Sequence, residues 1–446
     1  MFSRNAITLL RKWAEKENRK PLVLRGARQV GKTTLVNEFS KDFDTYLYLN
    51  LEEKQAADLF ETDKKIDDVV SAIYLYANKP RAKNKTLLFI DEIQNSQKAV
   101  ALLRYFYESV PELHVIAAGS LLESLIDTKI SFPVGRVEYM AVRPCSFDEF
   151  LGALGETELC KALLDGSIPE VIHAKTMNLF NTYTLIGGMP EVVAHYAKHK
   201  DLVAIGDIYE TLLEGYRDDV EKYARNQTMT HVIQYILKEG WAFAAERIVL
   251  GSFAESSYKS REMGEAFRTL EKTMLLELTY PTTNYNVPIT TDLKRSPKLL
   301  WLDTGLVNYA AKLQKEIFNA KDILDAWRGQ IAEQIVAQEL LARDYKVSNN
   351  RNFWVRNKQG TNSEVDFVIQ HDNKIIPIEV KSGHSAKLRS LHVFMENTNH
   401  TTAIRIWSNA FSVDKVTTPN GKEFTLYNLP FYYVGVIDTV LAKLKI

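Results

Sequence analysis

The sequence predicts an α/β protein of several domains, and three observations support this fold class. Strand patterns alternate with helical patterns over the first third of the chain, as in a parallel sheet. An apolar run at residues 22–24 leads directly into a Gly-x4-Gly-Lys-Thr sequence and a helical pattern. Two apolar-alternating runs flank the turn-forming Asp372-Asn373, which predicts a hairpin in a second α/β region.

Composition narrows the class of protein. A chain of 446 residues is too long for one hydrophobic core. The 56 Lys and Arg residues balance the 56 Asp and Glu residues, so any nucleic-acid site must be a local patch. The two cysteines, Cys145 and Cys160, lack the spacing of a metal site. Neither a signal peptide nor a membrane-spanning apolar stretch is evident, which predicts a cytoplasmic protein without a membrane partner.

The glycine-rich sequence predicts a loop that binds the phosphates of ATP. Gly26 and Gly31 permit backbone angles that aim successive N–H groups at one point, and the following helix adds its positive end. Lys32 would reach the β- and γ-phosphates, and the Thr33 hydroxyl would hold Mg²⁺. The predicted nucleotide-binding residues are Gly26, Ala27, Arg28, Gln29, Val30, Gly31, Lys32, Thr33 and Thr34. A glycine-rich turn without a ligand is the alternative.

A second nucleotide motif ends the apolar run at residues 87–90 with Asp91-Glu92. Such a run suits a central parallel strand that is buried on both faces. At its carboxyl end Asp91 would bind Mg²⁺ through water, and Glu92 would polarise the attacking water as a catalytic residue. The two motifs together predict a Mg²⁺-dependent ATPase.

Two more positions are catalytic candidates, each with an open alternative. Ser120 follows the apolar strand pattern that begins at residue 114, where a sensor of the γ-phosphate is expected, and it equally suits a helix N-cap. Arg136 is either an arginine finger, which in a homo-oligomer would serve a neighbouring subunit, or an ordinary loop cation. We predict an ATPase core at residues 1–152 and a helical lid at residues 153–226, which Gly187-Gly188 interrupts.

Residues 227–310 predict a winged-helix-like domain, with a helix that opens at Ser260 and a possible wing from residue 275. The outward face of that helix mixes both charges, namely Lys259, Arg261, Arg268 and Lys272 with Glu262, Glu265 and Glu271. Mixed signs weaken an attraction to phosphate. Contact with DNA and packing between domains both remain open.

Residues 311–446 contain the second candidate site. With Asp372-Asn373 as a two-residue turn, Asp366 faces Glu379 and Glu364 faces Lys381. Strand alternation then puts Val365, Phe367, Ile378 and Val380 together on the other face. Two facing carboxylates repel each other unless a cation lies between them, which predicts a second Mg²⁺ or Mn²⁺ site with Lys381 beside an attacking water. The alternative is a metal-free pair of Glu364 with Lys381, with Asp366 hydrogen-bonded to the backbone.

These motifs resemble the bacterial and archaeal AAA-type ATPases that carry a C-terminal DUF4143 domain. The resemblance rests on seven segments, at residues 26–34, 87–94, 118–120, 135–138, 143–150, 187–191 and 296–306. It implies ATP binding and leaves the cellular role open.

The C-terminal cluster resembles the PD-(D/E)xK nuclease fold. That resemblance implies that Asp366 and Glu379 bind the metal, that Glu333 on a preceding helix assists, and that Lys381 activates water. Two functions follow as alternatives. One is an ATP-driven or ATP-gated enzyme that processes DNA. The other is a regulatory nucleotide switch whose C-terminal half binds protein or DNA without cutting.

Overall fold

The computed structural model describes residues 2–61, 65–82, 84–119, 132–313, 329–348, 351–357, 363–381 and 388–446. Its N-terminal part is a parallel five-stranded sheet in the order β2-β3-β4-β1-β5. The strands are β1 Leu22–Arg25, β2 Thr45–Asn50, β3 Thr86–Asp91, β4 His114–Ala118 and β5 Glu138–Ala141. This sheet confirms the predicted α/β fold of the P-loop type, since each strand lies where the alternating pattern predicts it.

Helices cover both faces of this sheet. They are α1 Ala6–Ala14, α2 Lys32–Phe39, α3 Lys54–Asp58, α4 Ile66–Tyr76 and α5 Gln97–Ser109. Every residue of β3 and β4 is buried, because both strands are central and carry a hydrophobic core on each face. The carboxyl ends of β1 and β3 therefore share the edge at which a ligand of a parallel sheet binds.

A helical section follows the sheet. Its helices are α6 Phe147–Ala153, α7 Thr157–Leu164, α8 His173–Ile186, α9 Pro190–His199, α10 Ile205–Asp218 and α11 Val220–Tyr223. A capping box of Ser146 and Glu149 opens α6. Gly187 ends α8 with a φ of 69°, and Pro190 opens α9 as its first residue. The two glycines are therefore a turn between helices.

The middle section combines three helices with a small antiparallel sheet. Its elements are α12 Gln227–Glu239, α13 Ser260–Lys272, β6 Leu276–Thr279, β7 Pro281–Thr282, β8 Lys298–Trp301 and α14 Thr304–Ala310. Strands β6 and β8 pair with each other, whereas β7 pairs with the C-terminal sheet. Backbone pairing thus crosses the predicted boundary after residue 310.

The C-terminal section is built on a mixed sheet of seven strands in the order β13-β14-β12-β11-β10-β9-β7. Its new elements are α15 Gln330–Ala342, β9 Asn352–Val355, β10 Glu364–His371, β11 Lys374–Lys381, α16 Arg389–Asn397, β12 Thr402–Trp407, β13 Ser412–Thr417, β14 Glu423–Pro430 and α17 Ile437–Leu444. The predicted hairpin register is confirmed, since Phe367 pairs with Ile378 across a turn in which Asp372 and Asn373 have positive φ. The elements after residue 407 had no prediction from the sequence.

A β-bulge changes one face of the predicted hairpin. The pairing of β10 with β9 shifts between Val365 and Val368, which interrupts the alternation of side chains. Phe367, Ile378 and Val380 pack in the large core, but Val365 packs in the smaller core on the opposite side. The prediction that Val365 shares a face with those three residues is therefore wrong.

One hydrophobic core joins the helical, middle and C-terminal sections. It includes Phe180 of α8, Phe267 of α13, Ile335 of α15 and Ile378 of β11. A displacement of one section would expose apolar surface of the next. Among the described helices, none is long and apolar enough to cross a membrane.

Candidate functional site

The glycine-rich loop links β1 to α2 and is shaped by two glycines. A Cβ on Gly26 would lie 2.3 Å from the carbonyl oxygen of Val142, so only glycine fits beside the backbone that follows β5. Gly31 has a φ of 88° and caps the N-terminus of α2. The backbone therefore turns back on itself and presents the start of α2 to the space in front of the loop.

Lys32 is almost fully buried in the centre of this loop. Its Nζ donates hydrogen bonds of 2.9 Å to the carbonyl oxygens of Gly26 and Ala27. Burial lowers the pKa of Lys32 to about 8. Within the described residues Lys32 forms no direct ion pair, and the nearby carboxylates of Glu92 and Asp91 offset only part of the effect of burial on its pKa.

Thr33 and Asp91 lie side by side, as their proposed shared role requires. The Thr33 hydroxyl donates a hydrogen bond of 2.7 Å to Asp91 Oδ2, and burial raises the pKa of Asp91. A hydroxyl and a carboxylate at the edge of a phosphate loop are the donor set that holds Mg²⁺ beside a nucleotide. These two residues fit the ion.

Glu92 adopts an uncommon backbone conformation, with φ 50° and ψ 44°. Such left-handed geometry in a residue other than glycine is costly and often marks a functional position. Its Oε2 accepts a hydrogen bond from the amide of Gln94, and the side chain lines the space in front of Lys32. Glu92 therefore faces the region where the terminal phosphate of a nucleotide would lie.

A cavity of about 670 Å³ opens in front of the loop. Besides the loop and Glu92, its walls contain Phe2, Arg4 and Ile7 from the N-terminus and Pro190 from α9. Arg4 ties these parts together, because it donates to the carbonyl oxygen of Val30 at 3.3 Å and pairs with Glu149 at 3.0 Å. The helical section thus forms one wall of the nucleotide cavity.

The helical section also contacts the loop directly. The Tyr216 hydroxyl donates a hydrogen bond of 2.9 Å to the carbonyl oxygen of Arg28, and the Arg28 guanidinium pairs with Asp219. Both partners lie at the end of α10 or just beyond it. A change in the loop conformation would therefore alter the contacts that hold the end of α10.

Two catalytic candidates remain, Ser120 and Arg136. Ser120 lies outside the described residues. Arg136 precedes β5, at the sheet edge opposite the loop, and its Nε pairs with Glu108 Oε1 at 2.7 Å. Arg136 therefore cannot reach the nucleotide cavity of its own chain in this conformation.

The charged cluster in the C-terminal section brings together the four residues that the sequence singled out. Asp366 Oδ2 accepts a hydrogen bond of 2.7 Å from the backbone N–H of Val380, and Lys381 Nζ lies 2.7 Å from Glu379 Oε1. Burial raises the pKa of Asp366 and that of Glu379. The Glu333 carboxyl on α15 interacts with Asp366, and burial raises its pKa to about 7.

A fifth charged residue, Lys298, completes this cluster. Its Nζ lies 2.7 Å from Glu333 Oε2 and 3.0 Å from Glu364 Oε1. Burial alone would lower the pKa of Lys298, but these carboxylates raise it above its usual value. Among the described residues, no group of three or more His, Cys, Asp or Glu side chains is arranged to hold a metal ion. The cluster in this conformation does not fit the predicted second Mg²⁺ or Mn²⁺.

Sequence reasoning missed three residues of the two sites, namely Arg4, Asp219 and Lys298. Each acts through a partner far away in the chain, which local patterns do not reveal. Lys298 did leave a signal, since it lies in the Ser-Pro-Lys segment that contributed to the family resemblance.

Comparisons with known proteins divide the chain into three stretches. A sequence model of the AAA domain matches residues 18–151, and a model of the DUF4143 domain of unknown function matches residues 328–419. Between them, a second domain of unknown function, DUF8612, matches residues 177–317. A search of curated proteins found no match.

Solved structures similar to this chain include three whose sequences are distant. The Walker-type ATPase of Pyrococcus abyssi is 14% identical, with 70% of this chain and 96% of that chain covered and a TM-score of 0.42. The RuvB Holliday junction branch migration motor of Thermotoga maritima is 14% identical, with 66% and 93% covered and a TM-score of 0.28. The Aeropyrum pernix ORC1 protein in complex with DNA is 13% identical, with 71% and 93% covered and a TM-score of 0.26.

Proposed function

Because the chain belongs to the AAA-type P-loop ATPases that carry a C-terminal DUF4143 domain, we propose that it hydrolyses ATP in the cavity lined by Lys32, Thr33 and Glu92. The observation that carries this proposal is the contact between Thr33 and Asp91 beside the buried Lys32. Two motifs far apart in sequence meet there, and they contain the residue types that bind phosphates, hold Mg²⁺ and orient the attacking water.

Each residue has one role in this mechanism. The loop N–H groups and Lys32 bind and orient the phosphates, and Lys32 exchanges its carbonyl partners for phosphate oxygens. Thr33 and Asp91 would hold Mg²⁺, which when bound neutralises charge on the β- and γ-phosphates. Glu92 accepts the proton of the attacking water and orients it toward the γ-phosphate.

The first test replaces Glu92 with glutamine, which keeps the side-chain shape and removes the base. We expect ATP turnover to fall at least about 100-fold, the lower end of a general base's contribution, with ATP still bound. Glu38→Gln is the matched control, because Glu38 lines the same cavity but pairs with Lys41, two residues beyond the end of α2. Unchanged turnover in Glu92→Gln would remove Glu92 from the mechanism.

For Arg136 we propose a role across a subunit boundary of a homo-oligomer. Its position at the opposite sheet edge supports this, because only a neighbouring chain could bring it to a nucleotide. Mixing Arg136→Ala with Glu92→Gln subunits should then restore part of the turnover that each lacks alone, since some interfaces would combine an intact Glu92 with an intact Arg136. Equal turnover in the mixture and in the separate variants would argue against this role.

For the C-terminal half we propose a nucleotide-controlled module that binds DNA or protein without cutting. The internal pairing of the Glu333, Glu364 and Glu379 carboxylates supports it over ATP-gated DNA cleavage. On α13, Arg261 and Arg268 are exposed, which offers a local contact for a phosphate backbone. We also propose that the protein is cytoplasmic, as the sequence predicts.

The test of this second proposal uses linear, plasmid and branched DNA with Mg²⁺ or Mn²⁺, with and without ATP. We expect a gel shift without cleavage, and a weaker shift for the Arg261→Ala/Arg268→Ala variant. Cleavage that disappears in Asp366→Ala would establish the competing function, an ATP-linked nuclease.

A further inference from the structure

The carboxylates of the C-terminal cluster are met by cations from another section of the chain. Lys298 is the first residue of β8, and Arg247 forms an isolated backbone bridge with it. Lys298 Nζ contacts Glu333 and Glu364, while Arg247 Nη1 lies 3.6 Å from the second oxygen of Glu364. The middle section thus inserts two positive charges among the carboxylates of the C-terminal section.

Lys298 is held in place from every side. Its side chain is only 2% exposed, and its backbone pairs with Thr279 of β6. The Nζ lies 5.0 Å from the ring centroid of Phe353 and 5.5 Å from that of Phe367. Both distances allow cation–π attraction. Strand pairing, two rings and two carboxylates together fix one position for a side chain that is otherwise flexible.

The charges of the cluster are largely matched by internal partners. Glu333 and Glu364 contact Lys298, Asp366 accepts from the backbone of Val380, and Glu379 contacts Lys381. Among the described residues, the second oxygen of Glu379 has no hydrogen-bond partner. A divalent ion could use that oxygen only if the other ligands were released.

An ammonium and a divalent ion compete for this space. Mg²⁺ binds carboxylate oxygens at about 2.1 Å and requires near-octahedral geometry. The carboxylate oxygens of Glu333 and Glu364 already contact the Lys298 ammonium. A metal ion bound to the same oxygens would lie within a few ångströms of this positive charge, and the repulsion between like charges is strong in a buried site.

We propose that the Lys298 ammonium is the resident cation of this cluster, and that a divalent metal can bind there only when Lys298 is withdrawn. The cluster is therefore closed by a residue of the preceding section. This inference goes beyond the ATPase function, and metal binding tests it without any ATP turnover.

The experiment measures Mn²⁺ binding to the full chain without nucleotide, by electron paramagnetic resonance. The wild type and Asp366→Asn should bind equally, because the intact cluster takes up no ion. Lys298→Ala should gain one Mn²⁺ site that the wild type lacks, since the repelling charge is gone. Adding Glu379→Gln to Lys298→Ala should abolish the gain.

Two control variants separate charge from side-chain loss. Lys298→Arg keeps the positive charge and should gain no site. Lys294→Ala removes an exposed lysine four residues earlier and should behave as the wild type. A wild-type Mn²⁺ site that Asp366→Asn removes would overturn the proposal, and so would a folded Lys298→Ala that gains nothing. If Lys298→Ala does not fold, the comparison of the wild type with Asp366→Asn still decides.

Discussion

Two buried lysines of this chain, Lys32 and Lys298, have opposite electrostatic surroundings. Lys32 is 8% exposed, its Nζ donates to the carbonyl oxygens of Gly26 and Ala27, and burial lowers its pKa to about 8. Lys298 is 1% exposed, and although its burial is deeper, Glu333 and Glu364 raise its pKa. Burial alone therefore does not determine the pKa of a buried lysine, because the neighbouring groups decide whether its charge is satisfied.

The difference separates a ligand site from a structural contact. A buried cation without a counter-ion is costly, and an anionic ligand that supplies the counter-charge is bound tightly in return. A buried cation that already contacts carboxylates gains nothing from a further anion and repels a further cation. Lys32 is thus prepared for phosphates, whereas Lys298 stabilises the arrangement of two sections.

The largest expected effect is the loss of stability in Lys298→Met. Removing one partner of a buried ion pair costs about 3–5 kcal/mol. We expect the lower end of this range, because the Glu333 and Glu364 side chains keep 22% and 27% of their surface exposed to water. Burial holds the pKa of Glu333 at about 7, above its unfolded value, and the variant would raise it further. A carboxyl with a raised folded pKa loses stability as pH rises through the interval between the two values. We therefore expect the destabilisation to be larger at pH 8 than at pH 5, in denaturant unfolding.

Lys294→Met is the matched control for this measurement, since it removes the same charge from an exposed position. It should change the free energy of unfolding by less than about 0.5 kcal/mol. Equal effects of the two substitutions would mean that the Lys298 contacts do not stabilise the fold.

Lys32→Met is expected to show the reverse behaviour. Nucleotide affinity should fall about 100-fold, since the phosphates lose the buried counter-charge of Lys32, while the free energy of unfolding stays within about 1 kcal/mol. A fluorescent ATP analogue reports the first quantity, and denaturant unfolding in the absence of nucleotide reports the second. A large loss of stability in this variant would break the contrast between the two lysines.

The contrast also shows which features of the structure can be predicted from the sequence. The meeting of Lys32, Thr33, Asp91 and Glu92 at one cavity was predictable, because each motif is a short contiguous run with its own strand and turn. Their roles stay predictions. The hairpin register was predictable for the same reason, since Asp372-Asn373 fixes it locally.

Features that depend on distant partners were not predictable. The ion pair of Lys298 with Glu333 joins residues of two sections, and the salt bridge of Arg28 with Asp219 joins a loop to a helix end. The bulge beside Asp366 arises from the pairing of β10 with β9, which no pattern within β10 encodes. Short contiguous motifs therefore reveal which residues meet at the phosphate loop. The ion pairs that neutralise a charged cluster depend on the packing of whole sections, which no short motif reveals.

The pH dependence of ATP binding gives a smaller effect. Lys32 has a pKa of about 8 in the folded protein, below its ordinary value, so the free protein loses this proton first. Bound phosphates favour the charged form and raise that pKa, so above pH 8 binding requires the uptake of a proton. ATP affinity should therefore fall by up to about tenfold per pH unit above pH 8. Lys32→Arg is the control, because arginine stays charged and its weaker binding should not vary between pH 7 and pH 9.5.

The smallest expected effect is a connection between the two lysine sites. Pro190 lines the nucleotide cavity, and two residues earlier the backbone N–H of Gly188 donates a hydrogen bond of 2.5 Å to Asp303. Asp303 lies five residues after Lys298, directly beyond β8, and burial raises its pKa to about 6. A shift of α9 on ATP binding would therefore act on the segment that carries the Lys298 ammonium.

Hydrogen exchange measures this connection, because strands that become more firmly held exchange their amides more slowly. We expect ATP to slow exchange in the loop after β1, at residues 187–190 and, by a few-fold, in β8, consistent with the modest coupling energies found between sites. Asp303→Asn removes the charge from the acceptor of Gly188, so it should retain ATP binding and lose most of the change in β8. Protection that stays confined to the loop in the wild type would mean that the C-terminal cluster does not respond to the nucleotide. The two lysines would then belong to independent sites that share one chain.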